Sequence, residues 1–158
     1  MDLQIVNSFD IRFELVKEAN AICVPIPYGT SKNNYYLKTR SPIALASKNC
    51  VTVPTGIRIL DFPQVNLEIG NGNSITCFTQ AKVLFKFENR VRDGIEIIGP
   101  QIITKDYDDE LRVTLYNSSK KIFYAEEGDE IAILSFELMP SINFNLFLEN
   151  QIIPKEMR

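Results

Sequence analysis

The chain has 158 residues, 45% of them hydrophobic, and a formal net charge of −3. This length suffices for one domain with a real core. The longest apolar runs, such as residues 131–136, are far shorter than a bilayer span, so no membrane partner is expected. The basic residues are scattered and the net charge is negative, so nucleic acid is not an expected partner either.

Two residue types narrow the chemistry further. The chain has no histidine, which excludes Ser-His-Asp and Cys-His catalysis and histidine zinc sites. Its cysteines, Cys23, Cys50 and Cys77, are far apart and form no CxxC pattern. They are predicted to be reduced thiols that behave as small apolar residues. Because the first residues also lack the basic start of a secretory signal, we expect a cytoplasmic or nuclear protein.

Taken in chain order, turn residues divide the sequence into short strands. Turns are predicted at 28–29, 70–73, 93–94, 117–118 and 127–129, and strands at 94–97, 112–116, 122–124 and 131–136. Lys120-Lys121 is placed in a hairpin turn. This pattern predicts an all-β sandwich, barrel or jelly roll with little helix. No linker divides the chain, so one compact domain with a short tail is expected.

Several segments carry a family resemblance. IITKDYDDEL and GDEIAILSFELM are similar to the third and fourth motifs of the trimeric dUTPase family, roughly GVIDxDYRGE and GDRIAQL, and VTVPTGIRILDFP resembles that family's VPTGIALALP strand. The matched positions are Ile102, Ile103, Asp106, Tyr107, Glu110, Gly128, Asp129, Ile131, Ala132 and Leu134. The resemblance implies a dUTPase-like β-clip or jelly-roll domain over residues 1–143. It also implies a homotrimer with active sites shared between subunits.

The mismatches fall at the positions where the family has its catalytic and phosphate-binding residues. Thr104 stands at the aspartate that orients or deprotonates the attacking water, and a hydroxyl is no base near neutral pH. Glu130 stands at the arginine of GDR, and Ile133 at the glutamine on the phosphate side. Residues 144–158 form a tail without the glycine-rich arm that closes over the triphosphate.

The first and second motifs are also changed. SPIALAS places Ala44 at the aspartate that helps to organise magnesium, although alanine has no oxygen ligand. In LFKFENRVRDGI, Lys86 stands at the phosphate-binding arginine, Phe87 at its serine and Glu88 at its glycine. The bulky Phe87 replaces a serine hydroxyl, and the negatively charged Glu88 replaces a glycine whose backbone N–H could approach phosphate closely. We therefore assign no catalytic residue, metal ligand or cofactor.

Three positions could retain a vestigial substrate contact, and each has a simpler interpretation. Tyr107 matches the tyrosine that packs on deoxyribose, but could be a strand-end aromatic at a sheet edge. Asp106, with Asp108, Asp109 and Glu110, could hold a cation, but a solvated turn is favoured. Lys86 could meet a phosphate, but the alternating run around it favours a solvent-facing strand residue.

The preferred hypothesis is a catalytically inactive dUTPase-like protein that acts as a binding or structural module. Its expected partners are two further copies and an unidentified protein. A viral origin and a role in an infected host cell are expected, because such families leave diverged copies in large DNA viruses. The alternative is a divergent dUTP or nucleotide pyrophosphatase that uses Asp106 or Asp108 with Mg²⁺.

Overall fold

The computed structural model describes residues 11–30, 33–99 and 102–141. These ranges contain strands that we number in chain order, together with a 3₁₀ turn at Ala21–Cys23 and a helix, α1, at Phe87–Asp93. The strands are β1 Phe13–Leu15, β2 Ile26–Pro27, β3 Asn34–Lys38, β4 Ile43–Leu45, β5 Cys50–Pro54, β6 Ile57–Ile59, β7 Gln64–Gly70, β8 Asn73–Phe85, β9 Ile95–Ile98, β10 Ile102–Ile103, β11 Arg112–Asn117, β12 Phe123–Ala125 and β13 Glu130–Pro140.

Antiparallel pairing organises these strands into several sheets. The largest runs in the order β10-β8-β13-β3-β2, with β7 also pairing with β8. A second sheet has the order β5-β11-β9, and the pairs β1-β6 and β12-β4 complete the described pairings. The prediction of an all-β jelly roll with little helix is therefore confirmed.

Alternation along the strands builds the core. In β11, Val113, Leu115 and Asn117 point inward, while the residues between them are at least partly exposed. β13 is buried more continuously because it lies between β8 and β3. The buried faces of the sheets meet in one hydrophobic cluster that includes Leu37, Ile57, Ile95, Leu111, Leu115, Ile131 and Leu134. This cluster holds the connecting loops in fixed positions.

The predicted hairpin turn at Lys120-Lys121 is wrong. β11 pairs with β5 and β9, whereas β12 pairs with β4, so the connection between β11 and β12 crosses from one sheet to another. Fully buried Asn117 fixes this crossing, because its Nδ2 donates to the carbonyl oxygens of Leu45 at 2.9 Å and Lys121 at 2.7 Å. An amide side chain here replaces hydrogen bonds that a hairpin would supply.

The three thiols are free, as predicted, but only two of them lie in the interior. Cys23 and Cys77 are buried, and Cys50 is exposed. None of the helices in the described ranges has the length and apolar content needed to cross a membrane. The predicted tail, residues 144–158, and the end of the predicted domain at residue 143 lie outside the described residues.

Candidate functional site

The second-motif positions lie where β8 ends and α1 begins. Lys86 is the N-cap residue of α1 and does not cap it with its side chain. Its Nζ lies 3.4 Å from Glu130 Oε2 and 5.8 Å from the centre of the Tyr36 ring. The prediction that Lys86 is a solvent-facing strand residue is wrong, because the strand stops at Phe85. Helix α1 begins at Phe87, the residue after Lys86.

Helix α1 starts without a glycine and carries a negative charge in its first turn. Phe87 is its first residue, and Glu88 follows in the first turn. A carboxylate there is stabilised by the positive end of the helix dipole. The helix ends at Gly94, which has the left-handed φ of 68° and donates its N–H to the carbonyl of Arg90. A non-glycine residue would be strained at that position.

The changed fourth-motif positions lie on β13, and one of them is the partner of Lys86. Glu130 is the first residue of β13, and its carboxylate points towards Lys86. Ile133 is 7% exposed and lies in the sheet between Tyr36 and Leu84. Its side chain is apolar and buried, so this position offers no polar contact to a ligand. Burial, with Glu130 second, raises the pKa of the Tyr36 hydroxyl above its ordinary value.

A cavity of about 700 Å³ lies between α1 and the β12 region, and we call it the helix cavity. Its charged lining consists of Lys86, Arg92, Lys121, Asp93, Asp129 and Glu130. Lys86 pairs with Glu130, and Arg92 pairs with Asp93 at 3.2 Å. Positive and negative side chains are thus equal in number around the cavity, and no excess of cations faces it.

Ala44, at the first-motif position, lies in the middle of β4. It pairs with Tyr124 and lines a cavity of about 580 Å³ together with Glu126 and Asp129. Asp129 Oδ2 accepts a 2.8 Å hydrogen bond from the backbone N–H of Glu126. Asp129 and Tyr124 also line the helix cavity, so the first-, second- and fourth-motif positions are neighbours in one chain.

The third-motif positions lie elsewhere, in the loop between β10 and β11. Exposed Thr104 and Asp106 line a cavity of about 330 Å³ with Phe62, Phe78 and Met139. Lys105 Nζ lies 5.7 Å from the centre of the Phe78 ring. None of the side chains that line this cavity lines the helix cavity.

Tyr107 lies in the same loop rather than at the end of a strand. Its backbone N–H donates to Thr104 O at 3.0 Å, and its hydroxyl donates to Glu110 O at 2.7 Å. The ring borders a cavity of about 180 Å³ that Ile97 and Arg112 also line. Burial, followed by the charge of Asp109, raises the pKa of this hydroxyl. Within one chain, therefore, Tyr107, Asp106 and Lys86 line three different cavities.

Sequence reasoning missed the contact between Arg40 and Glu110, a partly buried ion pair that we call the Arg40–Glu110 clasp. Arg40 donates from Nε to Glu110 Oε2 at 2.9 Å and from Nη2 to Oε1 at 3.0 Å. The Gly56 N–H adds a third hydrogen bond to Oε2 at 2.8 Å. The hydrogen bonds that Arg40 donates to the Glu110 carboxylate raise the pKa of Arg40. The solvated-turn interpretation is thus wrong for Glu110, although Asp106, Asp108 and Asp109 are exposed.

Comparisons with known proteins place this geometry in a family. The family model described as dUTPase matches residues 88–153. A deoxyuridine 5'-triphosphate nucleotidohydrolase from Buchnera aphidicola subsp. Schizaphis graminum is 33% identical over an alignment of 111 residues that covers 68% of this chain. The chain belongs to the dUTPase-like family. The match spans 60% of the Buchnera protein's own length.

Solved dUTPases have the same fold. The dUTPase of Streptococcus mutans superimposes with a TM-score of 0.63 at 18% identity, covering 84% of this chain and 98% of that one. The dUTPase of Staphylococcus bacteriophage 80alpha gives 0.64 at 12% identity, covering 92% and 99%. At these identities the likeness establishes the dUTPase-like fold alone.

Proposed function

We propose that this dUTPase-like chain does not hydrolyse dUTP and serves as a binding or structural module. The ion pair between Lys86 and Glu130 carries the proposal. Lys86 holds the second-motif position, at which the family resemblance implies a phosphate-binding cation. Glu130 holds the position of a fourth-motif arginine. The negative charge of Glu130 at the fourth motif thus neutralises the positive charge of Lys86 at the second motif.

The surroundings of that pair also disfavour a triphosphate. Phosphate is usually bound by clustered cations and by backbone N–H groups at a glycine-rich loop. Here Glu88 places a carboxylate in the first turn of α1, and the helix cavity carries as many acidic as basic side chains. A triphosphate entering it would have to displace Glu130 from Lys86 while remaining close to its negative charge.

The residues at the expected magnesium position do not fit the ion. Mg²⁺ requires oxygen ligands, and Ala44 offers none. Across residues 11–30, 33–99 and 102–141, no three His, Cys, Asp or Glu side chains are grouped so that they could hold a metal. We therefore derive no chemical step through magnesium.

A homotrimer is part of the proposal. The separation of Lys86 from Tyr107 and Asp106 supports it, because a site assembled from these positions requires more than one subunit. Light scattering on the purified protein should give three times the 18.0 kDa chain mass. A monomeric mass would contradict the trimer and leave these positions without a shared site.

A protein partner is the expected ligand of the module. Phage dUTPases, including that of Staphylococcus bacteriophage 80alpha, control transfer of virulence genes by a proto-oncogenic G protein-like mechanism. That precedent supports a regulatory role for a dUTPase-like fold. We extend it to a viral origin for this chain and to work in the cytoplasm or nucleus of an infected cell.

Calorimetric titration with a non-hydrolysable dUTP analogue and Mg²⁺ tests the proposal. We expect no saturable heat at millimolar analogue. Should heat appear without turnover, Tyr107→Ala should weaken that binding if the ancestral pocket survives, and should leave it unchanged if the analogue binds elsewhere. Heat accompanied by turnover would overturn the inactive assignment.

The alternative function is a divergent nucleotide pyrophosphatase. Asp106 favours it, because this carboxylate is exposed and lines the same cavity as Thr104. Turnover that requires Mg²⁺ and is lost in Asp106→Asn would establish this alternative. Asp109→Asn, an exposed neighbour outside that cavity, is the matched control.

A further inference from the structure

The turn that joins β7 to β8 contains an asparagine followed by a glycine. Gly70 pairs with Asn73 at the end of the ladder, so Asn71 and Gly72 form a two-residue turn. Both turn residues have left-handed backbone conformations, with φ of 51° for Asn71 and 75° for Gly72. Asn-Gly is favoured in type I′ hairpin turns, because both central residues there need a positive φ.

Asparagine is a thermally labile residue, and its lability has a defined chemistry. The backbone nitrogen of the next residue attacks the side-chain Cγ and closes a succinimide ring. The new N–Cγ bond replaces the Cγ–Nδ2 bond, and ammonia leaves with the proton of the backbone N–H. Water then opens the ring at either carbonyl and gives aspartate or isoaspartate. A following glycine favours the attack, because it has no side chain beside its nitrogen.

The reacting groups of this turn are free in the described part of the chain. Asn71 and Gly72 are both exposed. Among the described residues, the Asn71 amide makes no side-chain hydrogen bond and the Gly72 N–H makes no backbone hydrogen bond. A β-carbon added at Gly70 or Gly72 would meet no atom within 4 Å. The turn therefore has room for the backbone rotation that ring closure requires.

Two other asparagines precede a small residue, serine, and the fold holds both. Asn73 is the first residue of β8, where its backbone is fixed in the ladder. Asn117 is fully buried, and its Nδ2 donates to two backbone carbonyl oxygens. The nitrogen that would attack Asn117 belongs to Ser118, whose N–H donates to Gly94 O at 2.9 Å. Only the turn asparagine among these three combines a free amide with a free attacking nitrogen.

We propose that Asn71 is a deamidation site of the folded protein, which converts to aspartate and isoaspartate through a succinimide formed with the Gly72 nitrogen. The reaction consumes one water and releases one ammonia, without an oxidant or a reductant. Each conversion adds one negative charge to a chain whose net charge is already −3. The turn lines none of the cavities described above, so the inference is independent of nucleotide binding.

The two products have different effects on the hairpin. In isoaspartate the main chain runs through the former side-chain carbonyl, which adds a methylene group to the turn. The pairs Gly70–Asn73 and Glu68–Ser74 no longer fit a turn of that length. Aspartate keeps the normal main chain, and Asp-Gly also suits a type I′ turn. Isoaspartate at residue 71 should therefore loosen the end of the hairpin, whereas aspartate should not.

Peptide mapping of the full chain after incubation at mildly alkaline pH tests the site. Cleavage after Arg58 and Lys82 gives one peptide that contains Asn66, Asn71 and Asn73. A mass gain of about 1 Da, from water gained and ammonia lost, should accumulate at Asn71 and include isoaspartate. Conversion at Asn73 should be about tenfold slower or less. An intact Asn71 in the protein, after the isolated peptide has converted in the same buffer, would overturn the proposal.

Unfolding in urea separates the effect of the fold from that of the sequence. Asn73 and Asn117 should convert faster in the unfolded chain than in the folded one, because the ladder and the buried hydrogen bonds are gone. Asn71 should change least, since the folded turn already leaves its groups free. If folding slows Asn71 as much as Asn117, the turn holds the reacting groups and the proposal is wrong.

Two variants test the assignment by charge. Asn71→Gly removes the amide and keeps a residue that tolerates a positive φ, so the acidic form that accumulates on ion-exchange chromatography should disappear. Asn73→Gln, two residues away, is the matched control and should retain that form. An acidic form that accumulates in Asn71→Gly at the parent rate would place the modification elsewhere and overturn the proposal.

Discussion

The Arg40–Glu110 clasp and the Lys86–Glu130 pair join the same kinds of charge in different surroundings. The clasp is bidentate and is reinforced by the Gly56 N–H, and its side chains are 22% exposed for Arg40 and 7% exposed for Glu110. The other pair has one 3.4 Å contact, with side chains 21% and 27% exposed. The first connects three loops to the core, whereas the second balances charge at a cavity. The two pairs therefore differ in hydrogen-bond geometry and in the burial of the carboxylate.

The largest expected effect comes from breaking the clasp. Glu110→Ala leaves the Arg40 guanidinium and the Gly56 N–H without their carboxylate, and should lower the free energy of unfolding by about 3 kcal/mol. Urea unfolding measures this loss. Asp108→Ala, an exposed acid in the same loop, is the control and should change stability by less than about 1 kcal/mol. Similar losses in both variants would mean that the clasp contributes no more to the free energy of unfolding than an exposed carboxylate does.

A smaller loss is expected when charge is kept but geometry is changed. Arg40→Lys preserves the cation and removes the fork that gives two parallel hydrogen bonds. We expect about 1–2 kcal/mol of destabilisation in the same urea experiment. A loss as large as that of Glu110→Ala would indicate that the fork, rather than the buried carboxylate, dominates the clasp.

Tyr107 adds a pH-dependent contribution next to the clasp. Its folded pKa is raised, so the stability it contributes is present below the unfolded value of about 10 and is lost as pH rises through the folded pKa. Tyr107→Phe should lose about 1 kcal/mol near neutral pH with the hydrogen bond to Glu110 O. Unfolding at pH 9 and pH 11 should show a shallower alkaline decline for the variant than for the parent chain. Parallel declines would contradict this assignment.

The smallest effect on stability is expected at the cavity. Glu130→Gln removes the ion pair with Lys86 and should change the free energy of unfolding by less than about 1 kcal/mol, because the pair is partly solvated. The same variant should bind inorganic triphosphate more tightly than the parent chain, since one negative charge is gone. Calorimetry with inorganic triphosphate measures this gain. Unchanged affinity would argue against neutralisation by Glu130.

Local patterns predicted the strands well and the isolated helix poorly. β11 and β13 follow from alternation and apolar runs, which reflect contacts within a sheet. The seven residues of α1 are too few to display a helical period, so Lys86 was assigned to a strand. The hairpin prediction at Lys120 failed because the pairing of β12 with β4 depends on residues about 80 positions apart in the sequence.

The candidate site was predictable only where family motifs supplied it. Motif register predicted changes at Thr104, Glu130 and Ile133, but not the contact between Glu130 and Lys86. The clasp was hidden because Arg40 and Glu110 are 70 residues apart and Glu110 ends an acidic run typical of solvated turns. Three-dimensional proximity, which alternation along a strand does not encode, decides both pairs.

Pyrophosphate release from dUTP by the purified full chain in Mg²⁺ tests the central claim most directly. If the motif changes and the neutralised cavity have removed catalysis, release should equal the rate in buffer at every dUTP concentration. Saturable release above that rate, proportional to the amount of protein, would contradict the account.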